Sequence, residues 1–168
     1  MIRSILFSSI LLIVSGIVQS TWFGAISVFG AIPDLSLVIL VWLAYKNGPV
    51  EGPVSGFIAG FAEDCISASP LGFHAFVKTF VAAMAGLLHG SFYIDRIFLP
   101  LVMGFLATIL KAVGAGFLVL LFGVKMQTYN FLDRILWVEA VYNGLIAPLV
   151  FLLLGLLKKV LVSETDRG

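Results

Sequence analysis

Gly52-Pro-Val-Ser-Gly56-Phe-Ile-Ala-Gly60-Phe-Ala-Glu63-Asp64-Cys-Ile-Ser67-Ala-Ser-Pro70-Leu-Gly72-Phe-His74-Ala-Phe76 joins two apolar segments through adjacent carboxylates and a Ser/Pro/Gly turn. Gly52, Gly56 and Gly60 recur every fourth residue, with Ser55 and Ala59 on a neighbouring strip, so one helix face carries two overlapping GxxxG patterns. Such a face lets another backbone approach closely. It has two readings: packing within the chain, against the segment before or after it, or docking of a partner helix. Carboxylates at the edge of hydrocarbon are costly to keep, and two like charges this close call for a cation nearby. Lys78 supplies one, about 12 Å along the next helix at 1.5 Å per residue. His74 lies one turn earlier on the same stripe. Glu63 or Asp64 with His74 and Lys78 is therefore the candidate cluster. Its competing readings are a snorkelling lysine beside solvated carboxylates, a buried structural pair, and a pair that binds a ligand or partner.

Working outward, the 168-residue chain is 61% hydrophobic and 11% charged, with a mean hydropathy of +1.13. That lies outside the globular range and marks an integral membrane protein. A net charge of +1 gives no global field to attract nucleic acid. With one cysteine, Cys65, and two histidines, neither an intrachain disulfide nor a zinc-ligand cluster is expected, and no cofactor is expected. About 20 apolar residues cross a bilayer. On that basis the chain divides into about six spans, near residues 4–21, 31–45, 51–65, 71–89, 98–123 and 136–157. The first has the flank and apolar run of a signal peptide, yet no small-x-small cleavage site follows, and it reads as an uncleaved helix. Lys46-Asn-Gly-Pro-Val-Glu51 reads as a tight turn between a short antiparallel pair, with a re-entrant hairpin as the alternative.

With the amino terminus cytoplasmic, Arg3, Lys46, Arg96, Lys158, Lys159 and Arg167 fall inside, while Lys125 and Arg134 fall outside. This bias places both termini in the cytoplasm, giving a single transmembrane domain over residues 1–168. Trp22, Trp42 and Trp137 are expected at the membrane interfaces. The connections leave no room for a soluble catalytic module. Pro33-Asp34-Leu35 reads as a helix start, with proline in the first turn and the acid at the positive end of the helix dipole. Lys111 and Glu139 invite pairing, but their expected depths differ by about 12 Å at helical rise. His89 and Asp95-Arg96 read as solvated connectors. No GxxxxGK[ST], HExxH or GxSxG pattern occurs, and the chain is not expected to be an enzyme.

Pro33-Asp34-Leu35, then Gly48-Pro-x-x-Gly52, Gly56-Phe57-x-x-Gly60-x-x-x-Asp64 and Ser69-Pro70-Leu71-Gly72-x-x-Ala75, in this order and spacing, resembles the rod shape-determining MreD family. The motifs cover about residues 30 to 90, and length and span count extend the likeness to the whole chain. The resemblance implies a multi-pass protein of the bacterial cytoplasmic membrane. It would act as a non-catalytic scaffold in cell elongation and peptidoglycan synthesis, working with MreC, MreB filaments, RodA and a class B penicillin-binding protein. It also implies a fold similar to the six-helix substrate-binding components of energy-coupling-factor transporters. The family pattern picks out Pro33, Asp34, Gly56, Gly60, Asp64, Pro70 and Gly72. Glu63, His74 and Lys78 are added by the physical reading above, and Gly52 belongs both to the Gly48-Pro-x-x-Gly52 motif and to the glycine ladder. The alternative function is a vitamin-binding transporter subunit; against it, the first span has Ser4, Ser8, Ser15 and Gly16 where an Ala-xxx-Ala pattern is expected. A third reading is a lipid-modifying enzyme using Asp64 and His74.

Overall fold

The computed structural model describes residues 1–22, 27, 29–67, 69–90, 97–123 and 133–162. All regular structure among them is helical: α1 (Ile2–Trp22), α2 (Leu35–Ile66), α3 (Phe73–Gly86), α4 (Phe98–Phe122), α5 (Arg134–Leu156) and the short α6 (Lys158–Leu161). Asp95-Arg96, Lys125 and Arg167 lie outside the described residues.

The architecture turns on one residue. Gly48, inside α2, has φ +79 and ψ −172, a conformation that side chains with a Cβ avoid. Pro49 then opens the second arm, where its fixed φ suits a first helical position. The helix doubles back here. A Cβ added to Gly52 would meet Ala44 Cα at 2.5 Å, although eight residues of straight helix span about 12 Å. The two expected short spans are thus the arms of a hairpin, 35–47 and 49–66, and the turn expected over Lys46–Glu51 shrinks to Gly48. The first arm starts at Leu35, not at residue 31, and α3 is shorter at both ends than the expected 71–89. His89, expected as a solvated connector, instead closes the turn: its Nδ1 lies 2.8 Å from the Tyr45 carbonyl oxygen and its ring packs against Gly48.

The glycine ladder sets the register on both sides of the second arm. An added Cβ on Gly56 would sit 3.1 Å from both Leu40 Cδ1 and the Lys78 carbonyl oxygen; on Gly60 it would sit 2.5 Å from the His74 carbonyl oxygen. At the hairpin end, Gly86 of α3 backs onto Pro49 with 2.8 Å for the equivalent atom. The second arm is therefore wedged between the first arm and α3, and its small face is used up inside the chain. Gly52→Ala and Gly60→Ala are each expected to destabilise the protein by about 1–3 kcal/mol through overpacking, read as a lower thermal unfolding midpoint in detergent. Gly16→Ala is the control, since a Cβ there meets nothing within 4 Å. Equal midpoints for all three would refute the packing account.

The first arm is the centre of the bundle. Residues Leu37 to Tyr45 are all buried, as befits a helix apolar all round. Trp42, expected at an interface, is 3% exposed within this core. It is there because the arm that carries it has no outward face. Trp22 is exposed and Trp137 half exposed. In α1 the usual pattern is inverted: Ser4, Ser8, Ser9 and Ser15 point inward, while Ile10, Val14, Ile17 and Val18 point outward. Small polar residues inside and aliphatic residues outside suit a helix facing lipid.

Contacts at both ends fix the topology. Ser4 Oγ donates to Glu51 Oε2 at 2.5 Å and Asn47 Nδ2 donates to the Leu161 carbonyl at 2.9 Å at the Gly48 end. Gln19 Oε1 accepts from Ser36 N at 3.3 Å at the far end. Glu51, which sequence reading passed over, is buried there. In α4 and α5, added Cβ atoms on Gly104 and Gly144 would meet the Asn143 and Leu101 carbonyl oxygens at 2.7 and 3.0 Å. Six helical stretches (α1, the two arms of α2, α3, α4 and α5) run alternately between the two ends. Among the described residues three helices, α1, α4 and α5, are long and apolar enough to cross a membrane by themselves. The chain is a helical membrane protein.

Candidate functional site

The polar residues that line the main cavity gather toward the end opposite Gly48. A helix begins with backbone N–H groups that have no partner within it. In α3 the N-cap is Gly72, φ +94, which has no side chain to cap with. Asp64, at the end of the preceding helix, does this instead. Its carboxylate accepts from Gly72 N at 2.9 Å, His74 N at 2.9 Å and Ala75 N at 3.2 Å, and lies 2.8 Å from His74 Nδ1. A negative group at a helix start is also favoured by the helix dipole. The turn that brings it there is closed by Phe73 N donating to the Pro70 carbonyl at 3.1 Å. Asp64 is 2% exposed.

The adjacent acid has a different partner. Glu63 pairs with Lys78, and His74 Nε2 lies 3.9 Å from Glu63 Oε1. Lys78, 6% exposed, also donates to Ser36 Oγ at 2.8 Å. The structure thus brings all four residues of the expected cluster together but divides the work: Asp64 builds the α3 start and orients His74, while Glu63 balances Lys78.

A second cluster lies across the first arm. Asp34 is the N-cap of α2, with Oδ1 accepting from Leu37 N at 3.0 Å. Pro33 therefore precedes the helix and does not stand in its first turn. Lys111 Nζ donates to Asp34 Oδ2 and Glu139 Oε1, both at 2.7 Å. The expected depth mismatch between Lys111 and Glu139 does not exist. Gly104 and Gly144 set α4 against α5 so that these two residues are nearly level, and α4 runs on beyond the point where α5 begins. Asn143 joins the network: its Oδ1 accepts from Asp34 N at 2.7 Å and its Nδ2 donates to Thr108 Oγ1 at 2.9 Å. Asn143 and Thr108 are fully buried. Sequence reading missed both. The available signal was spacing: Thr108 and Lys111 stand at i, i+3 on α4 and Glu139 and Asn143 at i, i+4 on α5, a polar stripe on each of two neighbouring helices.

The clusters face one cavity of about 530 Å³, whose lining includes Asp34, Glu63, His74, Lys78, Lys111 and Glu139. Among the described residues no three His, Cys, Asp or Glu side chains converge to hold a metal ion, and Cys65 is a free, exposed thiol. The other expected positions, Gly52, Gly56, Gly60, Pro70 and Gly72, shape the hairpin and turn that carry these side chains. Compared with known proteins, the chain matches the family model described as rod shape-determining protein MreD over residues 1–157. No curated protein and no solved structure matches it.

Proposed function

We infer what this chain does from one premise: it belongs to the MreD family of rod shape-determining proteins. It is a non-catalytic scaffold of the bacterial cytoplasmic membrane, with all six helical stretches crossing and both termini cytoplasmic. It holds the single transmembrane helix of MreC, and through it helps couple MreB filaments to RodA and a class B penicillin-binding protein. The fold similarity to energy-coupling-factor binding components belongs to the same reading.

One observation carries the placement of MreC. Because the glycine ladder is covered by the first arm and α3, a partner must use an outward surface. On the second arm Val50, Val54, Phe57 and Phe61 are exposed at 63, 41, 53 and 47%, and the Phe57 and Phe61 rings stack with centroids 6.2 Å apart. Their 4-3-4 spacing is the seam of a helix pair. In lipid, helices associate through such packing rather than through a hydrophobic force. Phe57→Ala with Phe61→Ala is expected to cut MreC co-purification at least tenfold and round the cells, at wild-type membrane levels. Full co-purification and rod shape in that variant would move the contact elsewhere. The transporter-subunit reading has the cavity in its favour; saturable binding of a water-soluble vitamin to the purified chain would select it.

A further inference from the structure

The charged cavity does not end at its own walls. A second space of about 240 Å³ lies between α1 and the second arm of α2, lined by Leu12, Ile13, Gly16, Ile17, Ala59 and Ile66 among others. Ile17 and Ile66 are 50 and 70% exposed, so this groove opens on the lateral face of the bundle. Among the described residues the two spaces share Glu63 and Lys78 alone. An ion pair therefore forms the partition between a polar chamber at the far end and an apolar slot on the membrane side. An amphiphile fits this division and a wholly polar solute does not.

The charges narrow the choice of head group. Among the described residues the chamber is lined by Asp34, Glu63, Asp133 and Glu139 against Lys78 and Lys111, and Lys111 is already held by two carboxylates. An anionic head would add charge of the sign already in excess, whereas a zwitterion adds none. A head carrying both an ammonium and a phosphate can exchange with the Glu63–Lys78 pair, its ammonium to Glu63 and its phosphate to Lys78, with His74 Nε2 beside it. The charge inside the bundle is then unchanged, which matters where solvation is poor. The chamber volume lies in the ordinary range for ligand sites. We propose that chamber and slot together bind one phospholipid with a phosphoethanolamine head, the head in the chamber and an acyl chain in the slot.

The test is titration of the full chain in detergent with dioleoyl phosphatidylethanolamine, dioleoyl phosphatidylglycerol or soluble glycerophosphoethanolamine, with bound ligand counted by native mass spectrometry. The phosphatidylethanolamine is expected to bind at least tenfold more tightly than the phosphatidylglycerol and the soluble head. Gly16→Trp, at a position with open space around its Cβ, is expected to plug the slot and weaken that lipid at least tenfold while leaving the thermal midpoint of the lipid-free chain in place. Glu63→Gln with Lys78→Met is expected to abolish the preference between the lipids. Equal binding of the two lipids by the wild-type chain overturns the head-group assignment. Soluble head binding as tightly as lipid, or Gly16→Trp binding like wild type, overturns the place of the acyl chain.

Discussion

Asp64→Ala is expected to cost about 3 kcal/mol, because three backbone N–H groups and a histidine ring, all at least partly buried or at the helix start, lose a buried acceptor. Each buried unsatisfied donor costs about 1–3 kcal/mol, and a whole domain has only about 5–15 kcal/mol to lose. The measurement is the thermal midpoint and monodisperse yield of the purified variant. Asp64→Asn keeps one acceptor oxygen and is expected to fall between alanine and wild type. The graded order matters more than either value, since a purely electrostatic role for Asp64 would make both substitutions equal. An Asp64→Ala midpoint matching wild type would show that α3 finds its start without this residue.

The second large effect belongs to Lys111. Lys111→Met leaves Asp34 and Glu139 facing each other, both largely buried, without their shared cation. Removing one member of a buried charge set costs about 3–5 kcal/mol, whereas neutralising the whole set costs much less. Lys111→Met combined with Asp34→Asn and Glu139→Gln is therefore expected to be more stable than Lys111→Met alone. Asparagine is chosen at position 34 because it still caps a helix well. Such strong non-additivity is what residues in one network show. If the triple variant is as damaged as the single, the cluster does not hold α4, α5 and the first arm together.

These two predictions rest on different kinds of information. Asp64 was visible in the sequence as a carboxylate that hydrocarbon disfavours, followed by a turn and a helix, and the candidate partners His74 and Lys78 lay within helical reach. What the sequence could not settle was which acid takes which partner. That depends on the side from which α3 presents its first turn, and the close approach at Gly60 determines it. The hairpin was legible for a similar local reason: Gly48-Pro49 between apolar runs leaves little choice. The Asp34–Lys111–Glu139 cluster was not legible as a contact, because it joins residues far apart in the chain. Its geometry follows from the α4–α5 register, which Gly104 and Gly144 fix from outside the cluster. Asn143 and Thr108 carry no charge and stand amid apolar residues, so only their spacing marked them. Trp42 was misplaced because a tryptophan near the end of an apolar run reads as an interface anchor unless the burial of the whole run is known.

The enclosure of the first arm has a further consequence. Residues 35–47 make a helix of about 20 Å at 1.5 Å per residue, well short of the roughly 30 Å of hydrocarbon in a typical bilayer. A helix that short in contact with lipid would be penalised by mismatch with the bilayer thickness. Here α1, the second arm, α3, α4 and α5 pack around it, and its residues from Leu37 to Tyr45 are buried. The long helices α1, α4 and α5 meet the acyl chains and set the thickness the protein fits, so this short helix at the centre is insulated from the variation in membrane thickness that they must accommodate.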